Sequence, residues 1–401
     1  MDLVKNPFTP GAGTRPIQLA GRGEIIVNVD IALQRIMAGR AEKSVLMVGL
    51  RGVGKTVLLN LLRDNAVTHG MTTVMIEAPE GRSLPALLVP PMRAALLEIS
   101  RLAQSKALAQ KAMRTMGSFV KAMKLKVNDL EFSLDVGLET GVADTGDLEH
   151  DLSALLRTVG EAARDAKTAF ILFIDELQYV KESDLAALIT ALHACTQQGL
   201  PVSLVGAGLP QLVGNMGRAK SYAERLFNFP EIGKLTVAAA KEALVKPAQT
   251  EGAGFTDAAL DLVIERTQCY PYFLQEWGKH SWNTATQNPI TESDVVVATD
   301  QAIVELDASF FRVRFDRCTP MEKQYLRAMA ELMSNARYSD NACRSGDIAT
   351  QICKQSNQVA PVRASLIKKG MIYSPAHGDT AYTVPLFAGY MRRVMPDSNS
   401  Q

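Results

Sequence analysis

Eight residues, Gly49-Leu50-Arg51-Gly52-Val53-Gly54-Lys55-Thr56, fit the spacing G-x-x-x-x-G-K-[S/T]. That spacing suits a phosphate chain. The glycines let backbone N–H groups turn inward around an anion, and a helix starting at the loop's end adds the partial positive charge of its N-terminus. Lys55 can reach the outer phosphates, and the Thr56 hydroxyl can serve a Mg²⁺ ion. The expected nucleotide contacts are Gly49, Arg51, Gly52, Val53, Gly54, Lys55, Thr56 and Val57.

A second group lies far along the chain, where the apolar run Ala169-Phe170-Ile171-Leu172-Phe173-Ile174 ends in Asp175-Glu176. Two carboxylates at the end of a buried strand suit a nucleoside triphosphatase. Asp175 can order the water shell of Mg²⁺, and Glu176 can orient the attacking water. An apolar strand ending in Asp-Glu is a weak signal alone and a strong one beside the glycine loop. The pair predicts a nucleoside triphosphate, which the resemblance below makes ATP, and Mg²⁺ as cofactors, with Thr56 and Asp175 on the metal and Lys55 and Glu176 as catalytic groups.

These residues need a scaffold that brings strand ends together. Val45–Val48 reads as a strand before the loop, and Val57-Leu58-Leu59 with Leu61 and Leu62 as an apolar helix after it. Thr72–Ile76 and Val202–Gly208 also read as strands, with helices at Asp147–Asp165 and Ser183–Gln198. Strands alternating with helices predict an α/β fold, a doubly wound parallel sheet with its ligand at the carboxyl ends of the strands. Between the second strand and Asp147 an insertion is expected at about 80–146: a long helical stretch from Ser83 to Lys126, then a β-like arm at Leu130–Val136. From Ile99 to Asn128 it holds no acid but carries Arg101, Lys106, Lys111, Arg114, Lys121, Lys124 and Lys126. Met113, Met116, Val120 and Met123 form its apolar stripe, which reads as a packing face. Its basic side fits either a solvated face or nucleic acid.

From Leu235 the strands stop and four helices are expected, a lid over the nucleotide. Near Phe310 the pattern starts anew. Thr319-Pro320-Met321-Glu322 is a capping box, opening a helix through Leu332. Helices at Gly346–Ile352 and Ala360–Lys369 and a hairpin across His377-Gly378-Asp379 complete the pattern of a winged helix. Arg363, Lys368 and Lys369 on its third helix are the expected DNA contacts. The charge supports them: Phe310–Met395 holds 13 Lys and Arg against 6 Asp and Glu, although the whole chain is only +1. A winged helix can also contact protein. The expected domains are 1–234 (nucleotide-binding core), 235–309 (helical lid), 310–395 (winged helix) and 396–401 (tail).

Bulk composition excludes some classes. With 401 residues and 47% hydrophobic content the chain can build more than one core. It has no apolar run long enough to span a membrane and opens without the apolar stretch of a secretory signal, so a cytoplasmic location is expected. Five cysteines without C-x-x-C spacing predict reduced thiols rather than a disulfide framework or a zinc cluster.

The order of parts resembles bacterial AAA+ ATPases similar to the origin-recognition-complex and archaeal initiator group, over nearly the whole chain. Ala20-Gly21-Arg22, the Walker A loop Gly49–Thr56, the Walker B end Asp175-Glu176, the lid and the terminal winged helix carry the resemblance. It implies an ATPase that binds DNA, self-associates through the ATP interface and lets nucleotide state control assembly on DNA. It also implies a trans arginine finger, for which Arg225 is the first choice and Arg218 the second. Two departures stand out. The strand after Walker B ends Gly206-Ala207-Gly208 where the family has a polar sensor, and the lid stretch Cys269–Gln275 lacks the family's arginine. They point to slow hydrolysis and keep open an alternative from another class: a signalling or scaffold ATPase whose winged helix contacts a partner protein.

Overall fold

The structure is a computed structural model that describes residues 1–11, 13–101, 105–125, 137–334, 338 and 342–396. They fall into two compact units. One comprises Arg22–Gly49 and Lys55–Ile232; the other comprises Met1–Gly21, Leu50–Gly54 and Gly233–Gln401.

The first unit is built on a parallel sheet in the order β2-β3-β4-β1-β5, with β1 Ser44–Val48, β2 Thr72–Glu77, β3 Phe170–Asp175, β4 Val202–Gly208 and β5 Phe227–Asn228. β1, β3 and β4 are buried along their whole length, as a sheet covered on both faces requires. Register sets the chemistry: Val48 lies opposite Gly208, Ile174 opposite Gly206, and Asp175 opposite Glu77. The loop after β1 and the acids after β3 therefore leave the same edge. Helices Gly23–Met37, Lys55–Thr68, Leu148–Asp165 and Glu182–Gln197 pack around the sheet.

Among the described residues, the insertion holds the helices Leu84–Ser100 and Lys106–Ala122. Its stripe packs as expected: Met113 and Met116 are buried, with Val120 and Met123 against the same core. Part of its basic side is neutralised, because Arg114 lies 2.8 Å from Glu139 and Lys111 lies 3.6 Å from Glu161. The β-like arm at Leu130–Val136 lies outside the described residues.

The second unit holds the helices Val237–Thr250, Asp257–Thr267, Pro271–Thr284 and Glu292–Leu306, close to their expected places. The N-terminal segment packs with them. Phe8 is buried against Gly278, where an added Cβ would come within 2.6 Å of its ring, and the Trp282 indole donates to Asp2 O at 2.8 Å. The fourth helix does not stop near Ala308: a π turn at Asp307–Phe311 carries it into Arg312–Asp316. The expected boundary at 309/310 thus falls within continuous helix.

Beyond it come Pro320–Leu332, β6 Ala342–Arg344, helices Ser345–Gln351 and Ser356–Lys368, β7 Ile372–Tyr373, β8 Asp379–Tyr382 and a final helix Phe387–Val394. The three strands form an antiparallel sheet in the order β6-β8-β7. Helix, strand, helix, helix, strand, strand is compatible with a winged helix. Thr319 and Glu322 form the expected capping box. Cys195, Cys269, Cys318 and Cys343 are buried free thiols, and Cys353 is an exposed one.

Candidate nucleotide site

β1 runs straight into the glycine loop. Gly52 and Gly54 take φ of 80° and 91°, the left-handed region in which a Cβ would be strained, and Lys55 is the first residue of the next helix. That places a helix N-terminus at the end of the loop. Among the described residues, nothing lies within 4 Å of where a Gly54 Cβ would stand. An anion can approach the backbone there.

In the first unit, the Thr56 hydroxyl donates to Asp175 Oδ2 at 2.6 Å, and Asp175 Oδ1 accepts the Glu176 N–H at 2.8 Å. Lys55 is buried on the same helix. Burial pushes the Asp175 carboxyl up, and the neighbouring Glu176 adds to this; the Thr56 bond and the Lys55 charge oppose it. A hydroxyl and a carboxylate in contact form an all-oxygen donor pair, which fits Mg²⁺. When bound, that ion would neutralise charge on the outer phosphates. Thr56 and Asp175 are the residues placed to hold it and its water shell.

Glu176 has φ 55° and ψ 35°, a left-handed conformation that a residue with a Cβ seldom adopts. Such strain costs about 1–3 kcal/mol and concentrates at functional sites. Here it turns the carboxylate away from the β3 line. Gln178 fixes the turned side chain: its amide donates to Glu176 Oε2, and its Oε1 accepts Leu209 N–H at 3.0 Å. Gln178 thus links the end of β3 to the end of β4, a role that sequence reading missed. The polar sensor that the sequence lacks at the end of β4 would have no room at either glycine. A Cβ on Gly206 would stand 2.3 Å from Leu177 Cδ1, and one on Gly208 would stand 2.8 Å from Gln178 Oε1.

The loop tip belongs to the second unit and is bonded there at four points. The Tyr270 hydroxyl donates to Arg51 O, and Tyr272 N–H donates to Gly52 O at 3.1 Å. Arg51 N–H donates to Thr383 O at 3.3 Å, and Arg51 Nε to Gly370 O at 3.4 Å. Gly52 admits no side chain, since its Cβ would lie 3.1 Å from both tyrosines. The tyrosines come from the lid stretch that lacks an arginine. A nearby cation comes instead from beyond the π turn: burial and Arg51 push the Arg314 guanidinium down to about 10, and it lies 3.8 Å over the Phe310 ring.

The other sequence-predicted residues are placed as follows. Arg225 is exposed on the short helix Ala223–Leu226, and Arg218 is exposed near Asn215 and Glu182. Lys368 is exposed. Arg363 and Lys369 are engaged inside the fold. The Arg363 guanidinium donates to Thr380 Oγ1, Ser374 Oγ and Asp379 O, each at 2.9 Å, tying its helix to the hairpin. Lys369 Nζ lies 2.7 Å from buried Glu322 and also donates to Arg317 O.

With this geometry in place, the likenesses of the chain can be weighed. Residues 18–205 match the family described as AAA ATPase domain, a span that takes in the glycine loop, Asp175-Glu176 and Gln178. Over that span the chain is similar to AAA ATPase domains. Residues 308–391 match a family described as a domain of unknown function, DUF8462. No curated protein sequence matches this one. Among solved structures, the Walker-type ATPase paby2304 of Pyrococcus abyssi has a TM-score of 0.60 at 14% identity, with 94% of this chain and 97% of that chain covered. This shows a shared fold. The Orc1 protein of Aeropyrum pernix, solved in complex with DNA, has a TM-score of 0.45 at 14% identity, with 94% of each chain covered. The RuvB Holliday junction branch migration motor of Thermotoga maritima has a TM-score of 0.45 at 15% identity, with 92% of this chain and 96% of that chain covered. Both are too remote to carry an argument. Among the described residues, no helix is long and apolar enough to cross a membrane.

Proposed function

We propose that this AAA ATPase is a slow, Mg²⁺-dependent ATP switch whose nucleotide state sets the DNA affinity of its C-terminal domain. One observation carries the proposal: Thr383 and Gly370, in the C-terminal domain, hydrogen-bond to Arg51 inside the glycine loop. A phosphate on the loop and the C-terminal domain thus meet at Arg51, whose backbone N–H and side chain are both bonded to that domain. A packed route supports the coupling. Tyr272, bonded to Gly52, stacks on Phe310 at 4.6 Å, and the adjacent Phe311 packs on Phe387 and Tyr390 of the last helix. The π turn sets these two phenylalanines, and such turns are frequent at functional sites.

Lys55 and Thr56 hold phosphate and metal, Asp175 orders the Mg²⁺ shell, and Glu176, aimed by Gln178, directs water at the γ-phosphate. Arg225, exposed and on the first unit, acts on the nucleotide of a neighbouring subunit. DNA contact is assigned to Lys368 and to the exposed Asn357 at the start of the same helix, since amide side chains read adenine edges. Arg363 and Lys369 position that helix. The partner-protein reading remains the alternative because Arg363 and Lys369 are spent on internal bonds. Fluorescence anisotropy with duplex DNA separates them. The switch predicts salt-sensitive binding that Lys368→Glu weakens; absence of DNA binding together with a stoichiometric protein partner would decide for the alternative.

A further inference from the structure

Two helices of the second unit, Pro271–Thr284 and Glu292–Leu306, face each other with Glu276 and His280 on one and Glu305 on the other. Glu276 is only 4% exposed. Its Oε1 accepts from the Tyr272 hydroxyl at 2.7 Å, but its Oε2 is buried without a hydrogen-bond partner. An unpaired carboxylate oxygen in the interior is costly and calls for an occupant. His280 Nε2, also buried, lies 4.0 Å from Glu276 Oε2 and 3.0 Å from Glu305 Oε2, within pairing distance of the latter. One oxygen of each carboxylate is thus held by a donor: Tyr272 fixes Glu276, and Lys279 Nζ fixes Glu305 Oε1 at 2.9 Å. The unpartnered Glu276 Oε2, the imidazole and Glu305 Oε2 converge, the last also within 3.2 Å of Lys279 Nζ. The three candidate ligand atoms all lie within 4.8 Å of one another.

We propose that Glu276 Oε2, His280 Nε2 and Glu305 Oε2 form a binding site for a divalent transition metal, Zn²⁺ being the best match. In tetrahedral zinc sites bonds of about 2.0–2.2 Å place ligand atoms a little over 3 Å apart. Observed separations of 3.0 and 4.0 Å bracket that value and close by small side-chain movements. One imidazole with two carboxylates suits Zn²⁺ better than Mg²⁺, which prefers all-oxygen, largely hydrated sites. Tyr272 and Lys279 act as the outer donors that orient metal-bound carboxylates. Lys279 also approaches Glu305 Oε2 at 3.2 Å, so metal binding requires it to keep only Oε1. The site shares Tyr272 with the route from the glycine loop, but metal binding there requires no nucleotide. Its consequence is mechanical: the ion cross-links two helices of the lid directly behind Tyr272.

The test uses the full-length protein, stripped with a chelator, free of nucleotide and titrated with Co²⁺. One equivalent should bind, giving visible d–d absorption without a thiolate charge-transfer band, and Zn²⁺ should displace it. Glu305→Gln, at a half-exposed position that tolerates change, should weaken binding about 10-fold or more, and His280→Ala should abolish the band. Cys353→Ser should leave it intact. Absence of saturable Co²⁺ binding would overturn the site, and so would binding unaffected by Glu305→Gln or lost in Cys353→Ser. In that case a protonated Glu276 satisfies its orphan oxygen.

Discussion

Glu176 and Gln178 divide one task between them. A carboxylate that activates water contributes through its position, and here a left-handed backbone and one amide set that position. Glu176→Gln should keep nucleotide affinity while lowering the ATPase rate by about 10²-fold or more, as read by phosphate release. Gln178→Ala leaves Glu176 its charge but frees its direction, so kcat should fall with KM little changed. An equal loss in both parameters would place Gln178 in binding instead. Elsewhere, Lys369 shows how an expected DNA contact can be bonded inside the fold, to Glu322. Burial pushes its carboxyl up, but Lys369, Thr319 N–H and Ser365 together draw it below its ordinary value of 4.5. A carboxylate with a depressed folded pKa adds stability that is complete above the unfolded value and lost as pH falls through the folded one. Thermal unfolding should therefore show the C-terminal domain weakening below about pH 4.5. Glu322→Gln should flatten that acid dependence.

At the scale of elements, legibility followed punctuation. β1, the loop and its helix could be read because Gly49, Gly52 and Gly54 break an apolar run and Lys55-Thr56 restart it. The capping box at Thr319 marked a helix for the same reason. β5 and β6 were missed: with 2 and 3 residues they have no periodicity to read, and they exist through pairing with β1 and β8. The helix through Phe310 was read as ending before it, at the 309/310 boundary, because the charge balance changes there. No breaker stands between Ala308 and Arg312, so the chain absorbs the change as a π turn. Of the candidate site, the residues bearing phosphate and metal chemistry were legible. Gln178, Tyr270, Tyr272 and Arg314 were not, because their roles arise from contacts between distant segments. Gly206 allows a test of the register that brings β3 beside β4. A Cβ there overlaps Leu177 and Leu46, so Gly206→Ala should lower stability by about 1–3 kcal/mol in denaturant unfolding.

For the molecule as a whole, the account rests on a phosphate loop whose tip is bonded by the lid tyrosines and the C-terminal domain. Nucleotide that rearranges Arg51 must change how Thr383 and Gly370 are held, and the C-terminal domain must in turn alter nucleotide affinity by the same factor. On the proposed switch, Lys55→Ala, which removes the expected phosphate cation, should uncouple the two while leaving the helix Ser356–Lys368 intact. The most direct measurement is the affinity of full-length protein for a labelled duplex, by anisotropy, with ATP and Mg²⁺, with ADP and Mg²⁺, and without nucleotide. The account predicts salt-sensitive binding that differs by about 5-fold or more between the ATP and ADP states, and no such difference in Lys55→Ala. Equal affinity in all three conditions, or a difference that persists in Lys55→Ala, would contradict it.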